Sequence, residues 1–282
     1  MNLAHLTQYL TQTSIPGLPE LPATAFNINL YDTLVSTNQT LWELVDQGAN
    51  EGTVAIALQQ RGGRGQWGRQ WQSSPGGLYL SIALTPHLAA TQAAQLTLCS
   101  AWGIATALNH YEVPVELKWP NDLVVQGRKL GGILTETRIS QGIIRQAIVG
   151  VGLNWVNAVP AMGINLQTVM ATHSQPTIAS LEKLAAIALQ GIMGGYQQWQ
   201  HQGIEAILPH YHALLTGVGQ PVRLDDGLGE IVGVSSSGEL RVRLQPSEKA
   251  AAIAEISVKP GAVRLGYEWS DREPNRFEER LD

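Results

Sequence analysis

A segment rich in glycine and arginine, Gln60–Trp71, carries residue types that bind anions. Arg61, Arg64 and Arg69 alternate there with four glycines and two tryptophans. Glycine lets backbone N–H groups approach a phosphate closely, and arginine supplies permanently charged, forked donors. The indole rings are suited to stack on a base or to cover a ligand. The segment therefore predicts an anion-binding loop; the alternative is a surface loop with incidental arginines.

The same segment contains Gly63-x-Gly65-x-x-Gly68, the spacing of a dinucleotide-binding fingerprint. That fingerprint must open a helix, and an acidic residue must follow about 20 residues later. Here residues 73–77 read Ser-Ser-Pro-Gly-Gly, and no Asp or Glu occurs between residues 52 and 111. None of the lysines follows a glycine, so the sequence has no Walker A phosphate loop either. These absences argue against a nicotinamide site and leave the anion-binding loop as the favoured interpretation.

Two further segments each place a lysine near a predicted strand end, and in the second segment glycines follow the lysine. Lys118–Leu123 reads Lys-Trp-Pro-Asn-Asp-Leu, and Arg128–Glu136 contains Lys129 just before Gly131 and Gly132. We expect the two lysines to lie on neighbouring strands, where they are suited to stabilise negative charge. Solvated strand lysines are the alternative, although the flanking residues are apolar.

A fourth segment, Gly150–Asn154, reads Gly-Val-Gly-Leu-Asn inside a predicted strand. Glycines in a strand interior often mark the close approach of a ligand or of another backbone. This pattern alone specifies no ligand.

The distribution of charge favours an anion pocket near the first segment. The 282-residue chain has a net charge of −5 and only 15% charged residues, so it does not resemble a general DNA or RNA binder. Yet residues 52–111 contain arginines and no carboxylates. A pocket for an anionic ligand would explain this arrangement, because carboxylates there would repel the ligand. The alternative is chance in a weakly charged chain.

Composition also sets expectations about location. Residues 1–60 contain no Lys or Arg, so we expect neither a secretory signal nor a transit peptide. No apolar run approaches 18 residues, so no transmembrane helix is expected. The single cysteine, Cys99, lies in an apolar stretch, which predicts a core residue in a cytoplasmic protein.

The length predicts about two domains. Apolar periodicity predicts helices within residues 33–50, 91–110, 181–202 and 204–215. It predicts strands at 54–58, 78–84, 115–119, 123–126, 133–138 and 143–149, followed by short strands at 222–224, 231–234, 239–244, 253–258 and 263–265. We expect an N-terminal arm and linker over residues 1–26, a main domain over 27–215, a small β-barrel over 216–268 and a charged tail over 269–282.

Together these segments resemble the biotin–protein ligases. That family has a Ser-Thr-Asn triplet, a Gly-Arg-Gly-Arg-x-Gly-Arg-x-Trp loop, Lys-Trp-Pro-Asn-Asp, Arg-Lys-Leu-x-Gly-Ile-Leu-x-Glu and Gly-x-Gly-x-Asn. This sequence carries the five motifs in that order, from Ser36 to Asn154. The resemblance covers about residues 27–268. It implies an α+β fold, in which a mixed-sheet catalytic domain like that of class II synthetases precedes a small SH3-like β-barrel.

The resemblance implies two half-reactions. In the first, the carboxylate of biotin attacks the α-phosphate of ATP, giving biotinyl-5′-AMP and pyrophosphate, with Mg²⁺ accompanying the phosphates and no dedicated protein metal site. In the second, a specific lysine of a biotin carboxyl carrier domain of acetyl-CoA carboxylase takes the biotinyl group. The implied enzyme binds neither nucleic acid nor membrane and is a monomer or a homodimer.

The matching motifs also imply residue roles. Lys129 and Arg64 would contact the biotin carboxylate and the α-phosphate. Lys118 and Asp122 would assist at the acyl phosphate, where Asp122 helps to hold Mg²⁺. The pocket for the biotin head group would be formed by Ser36, Thr37, Gln60 and Gly63, with space provided by Gly132 and Gly152. The nucleotide side would be formed by Asn121, Arg69, Trp71 and Asn154. The remaining positions expected to bind the ligands are Asn38, Gly65, Gln66, Gly131 and Gly150.

Two features depart from the family pattern. Gln66 stands where the loop usually has arginine, which removes one expected contact to the phosphate or adenylate. Residues 1–26 are too short for the DNA-binding domain of the repressor members, so we expect a short form that binds no operator. Two other functions remain open: a lipoate–protein ligase-type acyltransferase on the same fold, and a non-catalytic module that binds a biotinyl nucleotide.

Overall fold

The computed structural model describes residues 1–171, 176–225, 227–245, 254–263 and 265–267. Its helices are α1 (Leu3–Gln12), α2 (Thr37–Asp46), α3 (Ala94–His110), α4 (Leu166–Met170), α5 (Leu181–Gln202) and α6 (Ile204–Leu214). Its strands are β1 (Asn27–Leu34), β2 (Thr53–Gln60), β3 (Leu78–Leu84), β4 (Leu88–Ala89), β5 (Glu116–Lys118), β6 (Asp122–Val125), β7 (Arg128–Ser140), β8 (Ile143–Leu153), β9 (Pro221–Leu224), β10 (Gly227–Val234), β11 (Leu240–Leu244) and β12 (Glu255–Val258).

Eight strands form one mixed sheet in the order β1-β2-β3-β8-β7-β6-β5, with the short β4 paired to β8. β1 and β2 are parallel, and the other neighbours are antiparallel. β7 and β8 form the predicted hairpin, whose turn places Gln141 and Gly142 at positive φ. A mixed sheet combined with helices confirms the predicted α+β class.

The two faces of this sheet differ. Val54 belongs to the main core beneath α3 and α5, whereas the next residue, Ala55, packs with Ile148 against α2. Side chains alternate between faces along a strand, so Gly150 and Gly152 lie on the same face as Ile148. Helices α3 and α5 therefore cover one face, while the α2 face has a floor of small residues at the end of β8.

The N-terminal residues 1–26, expected as an arm and linker, contain α1, which packs against α5. Leu6 and Leu10 lie one helical turn apart and are fully buried. The Gln190 side chain of α5 donates to the carbonyls of Leu10 at 3.0 Å and Leu21 at 2.9 Å. The segment thus shares the core of the main sheet, and the division of the chain into domains stays a prediction.

β7 begins earlier than predicted and includes Lys129, which alters the expected arrangement of Lys118 and Lys129. β7 begins at Arg128, five residues before the predicted strand, and pairs with β6. Lys118 ends β5 and Lys129 is in β7, so β6 lies between them. The expectation that the lysines occupy neighbouring strands is therefore wrong; they flank the strand that begins at Asp122.

The C-terminal strands form a separate four-stranded antiparallel sheet in the order β12-β11-β10-β9. Leu240 and Val242 are buried, while Arg241 and Arg243 point outward, which confirms the alternation predicted for residues 239–244. The predicted strand at 263–265 does not appear at Val263 or Leu265; residue 264, residues 246–253 and the predicted charged tail lie outside the described residues.

Side-chain hydrogen bonds attach this module to the main sheet. Trp119 donates from Nε1 to the carbonyl of Gly238 at 2.9 Å, and Gln95 donates to the carbonyl of Ser236 at 3.0 Å. Trp119 belongs to the Lys-Trp-Pro-Asn-Asp segment, so the module is attached beside a segment with predicted catalytic residues.

Two smaller expectations concern the core and the membrane. Cys99 is fully buried and burial raises the pKa of its thiol to about 12, which confirms its predicted place in the core. In the described part of the chain, no helix has the length and apolar character needed to cross a bilayer.

Candidate active site

A cavity of about 560 Å³ opens on the α2 face of the main sheet. All but three of the residues predicted to form the site line it, namely Ser36, Thr37, Asn38, Gln60, Arg64, Gly65, Gln66, Arg69, Trp71, Lys118, Asn121, Asp122, Lys129, Gly132, Gly150 and Gly152. Five segments that are distant in sequence therefore meet at one place. The exceptions are Gly63, Gly131 and Asn154.

One end of the cavity is a network of neutral hydrogen bonds at the start of α2. The Gln60 side-chain oxygen accepts from the backbone N–H of Thr37 at 2.8 Å, and its amide donates to Ser73 at 2.8 Å. Ser81 lies 2.7 Å from the Thr37 hydroxyl and 2.6 Å from the Asn38 side-chain oxygen. These side chains hold one another in place, and we call this set of five residues the neutral end.

The anion-binding loop is fixed to the sheet through Glu136. Arg64 donates from Nη2 to Glu136 Oε2 at 3.1 Å, and the same oxygen accepts from Asn38 and from Trp42, each at 3.1 Å. Trp67, in the short 3-10 helix of the loop, adopts a positive φ of 53° and remains exposed. The single carboxylate of Glu136 thus joins the loop, α2 and β7.

The other end of the cavity carries charges around Asp122. Lys129 Nζ lies 2.6 Å from Asp122 Oδ1, and Lys118 is opposite Asp122 in the β5–β6 register. The Tyr267 hydroxyl donates to Asp122 Oδ2, and its ring centroid lies 3.7 Å from Lys118 Nζ. We call these four residues the charged end.

Burial changes the titration of Lys118, whose residue exposure is only 6%. Burial lowers the pKa of its ammonium group to about 8, the Asp122 carboxylate opposes that change, and Lys129 and Arg69 add to it. A lysine in this state is charged at neutral pH but loses its proton under mildly alkaline conditions.

Two of the strand glycines make room for protein side chains that line the cavity. A Cβ at Gly150 would overlap the Asn38 side chain, and a Cβ at Gly152 would overlap the Trp71 indole. Trp71 Nε1 is buried without a hydrogen-bond partner among the described residues. Glycine at residue 152 therefore lets the indole lie flat against the sheet, with its N–H group left unsatisfied beside the cavity.

The three exceptions lie one layer behind the cavity. A Cβ at Gly63 would overlap Ser73, and a Cβ at Gly131 would come within 2.5 Å of Leu153 Cδ2. Asn154 is buried and donates from Nδ2 to the carbonyl of Lys129 at 3.3 Å. Asn154 therefore fixes the backbone that presents Lys129.

Sequence reasoning missed several residues of the site. Ser81 is a lone polar residue in an apolar strand, a signal that marks a buried polar contact. Glu136 is the last residue of the Arg-Lys-Leu-x-Gly-Ile-Leu-x-Glu motif, but the resemblance implied no role for it. No sequence pattern indicated a contact for Ser73 or Tyr267. Tyr267 reaches Asp122 across 145 residues of sequence.

The charges that line the cavity are strongly one-sided. Arg64, Arg69, Lys118 and Lys129 face it, and Asp122 is the one carboxylate among its lining residues in the described part of the chain. Cations grouped around one cavity favour anionic ligands, while the neutral end offers paired donors and acceptors. The arrangement is suited to hold a polar, uncharged ring at one end and to bring two anions together at the other.

Comparisons with known proteins agree with this geometry. Residues 30–154 match the model of the biotin/lipoate A/B protein ligase family. The bifunctional ligase/repressor BirA of Bacillus spizizenii is 27% identical over 235 residues, which are 80% of this chain and 72% of that protein. The biotin–[acetyl-CoA-carboxylase] ligase of Paracoccus denitrificans is 27% identical over 236 residues, with 78% of this chain and 96% of that protein covered.

A solved structure extends the similarity to the fold. The biotin protein ligase of Aquifex aeolicus, in complex with biotin and ATP, superposes with a TM-score of 0.66 at 26% identity. The superposition covers 82% of this chain and 95% of that one. The family match contains all five motif segments. Part of the main sheet and the whole C-terminal module lie outside the matched residues. Residues 30–154, which carry the five motifs, form a domain of the biotin/lipoate A/B protein ligase family.

Proposed function

We propose that this protein is an ATP-dependent biotin–protein ligase, which forms biotinyl-5′-AMP and transfers biotin to a lysine of a carrier domain. The observation that carries the proposal is the meeting of the neutral end and four cationic side chains in one cavity. Relatives and a structural neighbour bear the names of biotin ligases, and the neighbour holds biotin and ATP.

The neutral end suits the head group of biotin. A ureido ring offers two N–H donors and one carbonyl acceptor. The hydroxyl and amide groups of Thr37 and Gln60, together with the hydroxyl of Ser36, which also lines the cavity, can pair with them. Because Gln60 and Thr37 are already hydrogen-bonded to each other, the pocket keeps its shape before the ligand arrives. Few side chains therefore have to become ordered when the ligand binds, so little conformational entropy is lost.

The cations suit adenylate formation. Negative charge builds up at the α-phosphate as the biotin carboxylate attacks it, and fixed cations there stabilise the transition state more than the ground state. Lys129 and Arg64 are assigned this role, and both are held by carboxylates, Asp122 and Glu136, in the structure. Substrate anions would replace the two carboxylates as partners of the cations. The carboxylates therefore hold the cations in position without neutralising their charge permanently.

The nucleotide is assigned to the side of the cavity lined by Arg69, Trp71 and Asn121. Asn121 donates from Nδ2 to the carbonyl of Ile133 at 2.6 Å, which fixes the turn before β6. Lys118 lies at the same end and supplies a second ammonium group near the phosphates. These side chains bind and orient ATP, so that its α-phosphate faces the biotin carboxylate.

Magnesium fits this site only together with ATP. Within the described ranges no group of three or more His, Cys, Asp or Glu side chains could enclose a metal ion. Mg²⁺ is commonly held by one or two carboxylates plus substrate phosphates, and Asp122 supplies one such carboxylate. Bound there, Mg²⁺ would neutralise phosphate charge during adenylation. The chain's own contribution is to orient Asp122 through Lys129 and Tyr267.

The acceptor that we propose is the carrier domain of acetyl-CoA carboxylase, as in the name of the Paracoccus denitrificans relative. The acidic chain and its single buried cysteine agree with a cytoplasmic enzyme that acts on a protein and not on nucleic acid. A monomer or a homodimer is compatible with this reaction.

The decisive experiment mixes the protein with ATP, Mg²⁺, biotin and an apo carrier domain. We expect the intact mass of the carrier to rise by one biotinyl group, and a carrier with arginine in place of the acceptor lysine to stay unmodified. Parallel reactions contain lipoate instead of biotin. Transfer of lipoate would support the lipoate ligase alternative, and binding of the nucleotide without any transfer would support a non-catalytic module; either result would overturn the proposal.

A further inference from the structure

Tyr267 enters the cavity from the C-terminal part of the chain and contacts two residues of the charged end. Its hydroxyl donates to Asp122 Oδ2, while Lys129 occupies the other oxygen of the same carboxylate. Its ring lies face-on to Lys118, with Nζ 3.7 Å from the centroid. No other residue of the described C-terminal segment donates to a charged side chain of the cavity.

The segment that carries Tyr267 follows the rim of the cavity. Gly261, Val263 and Leu265 line the cavity before Tyr267 does. Gly261 packs against the Trp67 indole, since a Cβ there would lie 3.1 Å from Trp67 Nε1. The described residues of this segment therefore contact both the anion-binding loop, through Gly261, and the charged end, through Tyr267.

Tyr267 also separates the main cavity from a smaller one. A second cavity of about 350 Å³ is lined by Glu116, Thr216 and Val218, and it shares Lys118 and Tyr267 with the first. The tyrosine ring and the lysine stem thus form the wall between the two spaces. Removal of the ring would join the two spaces around Lys118.

We propose that Tyr267 is a positioning residue for adenylate formation, which orients the Asp122 carboxylate through its hydroxyl and holds the Lys118 ammonium through its ring. The inference rests on the proposed function and adds a residue that none of the five family motifs contains. The Tyr267 hydroxyl is the hydrogen-bond donor that the structure gives to this carboxylate, and the Lys129 ammonium forms an ion pair with its other oxygen. With both contacts the plane of the carboxylate is held; with the ion pair alone, the group can rotate about its last torsion.

The electrostatics agree with this role. Burial, and after it the adjacent Asp122 carboxylate, raise the pKa of Tyr267, so the hydroxyl remains a donor throughout the neutral pH range. The ring face offers partial negative charge to the ammonium, which compensates Lys118 for part of its lost hydration. The Asp122 carboxylate opposes the lowering of the Lys118 pKa by burial, while the charges of Lys129 and Arg69 add to it.

The test compares Tyr267→Phe with Tyr267→Leu in biotin-dependent ATP–pyrophosphate exchange. Tyr267→Phe keeps the ring and loses the donor, so we expect the KM for ATP to rise about tenfold while the KM for biotin stays within about twofold. Tyr267→Leu also removes the ring, so we expect the same rise in KM and a further fall of about fivefold in kcat. A loss of structure alone would lower the melting temperature and the fraction of active enzyme, and would not raise the KM for ATP selectively.

Tyr196→Phe provides the matched control, because its hydroxyl also donates to a carboxylate, that of Glu51 at 3.2 Å, on the opposite face of the main sheet from the cavity. It should leave both KM values unchanged. An unchanged or lower KM for ATP in Tyr267→Phe, beside normal exchange by the unmodified protein, would overturn this inference alone. No exchange by the unmodified protein would overturn the proposed function, and the inference with it.

Discussion

The two ends of the cavity achieve their order by different means. At the neutral end, the Gln60 side-chain oxygen accepts from Thr37 and its amide donates to Ser73, while Ser81 donates to Thr37 and completes the network. At the charged end, order depends on an ion pair between Lys129 and Asp122. Neutral groups already paired with one another need no partner from the ligand to stay in place, whereas paired charges can change partners.

This difference separates recognition from reaction. The neutral end has its shape before the ligand binds, so it is suited to select one ring by the pattern of donors and acceptors. The charged end holds cations that are temporarily paired with carboxylates, so that they are available when phosphate charge develops. Substitutions at the neutral end should therefore change KM for biotin, and substitutions at the charged end should change the rate of adenylation or the use of ATP.

The largest effect is expected from Lys129→Ala, at the charged end. We expect the variant to fold and to lose biotin-dependent ATP–pyrophosphate exchange by about 100-fold or more, because it lacks the cation placed at the reacting oxygens. Lys183→Ala is the matched control, since Lys183 lies on α5 outside the cavity, with its ammonium 5.0 Å from the Tyr111 ring centroid. Undiminished exchange in Lys129→Ala would remove Lys129 from the mechanism.

The next largest effect is expected at the neutral end, from Gln60→Leu. This change removes the acceptor for the Thr37 N–H group and the donor to Ser73, so the buried N–H group is left unsatisfied and Ser73 keeps only its bond to the Trp71 carbonyl. We expect the KM for biotin to rise about 20-fold, with the KM for ATP within about twofold. Gln39→Leu, on the exposed side of α2, is the control. An equal rise in both KM values would show that the two ends do not act separately.

A smaller effect is expected from pH, through Lys118. Its pKa is lowered to about 8, mainly by burial, so its charge is lost as the pH rises through 8. If that charge helps to bind the phosphates, kcat/KM for ATP in the free enzyme should be about tenfold lower at pH 9 than at pH 7. Lys118→Arg, which keeps its charge throughout, should remove the decline. A decline that persists in Lys118→Arg would assign it to another group.

The sequence predicted the charged end better than its surroundings. Lys118, Asp122 and Lys129 stand out because charged residues interrupt apolar strands, and such interruptions are visible without a structure. The partners of these residues are not visible, because they come from distant parts of the chain. Arg64 meets Glu136 across 72 residues, and Tyr267 meets Asp122 across 145. No local pattern encodes contacts that only the folded chain creates.

The same distinction applies to the elements of the fold. α5 was predictable to its ends, Leu181 and Gln202, because its apolar stripe repeats over six turns and Gly203 follows it. β1 was not predicted, because it is an edge strand with polar Asn27 and Asn29 and without full burial on either face. Its pairing with β2, a tertiary contact, is what makes it a strand.

The smallest effect, and the closest test of how the two ends communicate, is expected from Gln66→Arg. Gln66 lies in the loop between the ends, and its Oε1 atom is buried without a hydrogen-bond partner in the ranges that the structure describes. Arginine at this position, as in the family motif, would add forked donors facing the cavity. We expect biotinyl-5′-AMP to dissociate about fivefold more slowly, as measured by chase with unlabelled ligand.

Gln72→Arg adds the same charge at an exposed position outside the cavity and should leave the dissociation rate unchanged. If Gln66→Arg also leaves it unchanged, the loop does not limit escape, and the adenylate is held by the two ends alone. If the dissociation rate falls, the loop also contributes to holding the adenylate, and glutamine at residue 66 keeps that contribution weak. The glutamine would then favour early release of the adenylate over its retention. The reason is that a single neutral amide stands in the loop between the two ends, where the family motif has a charged donor.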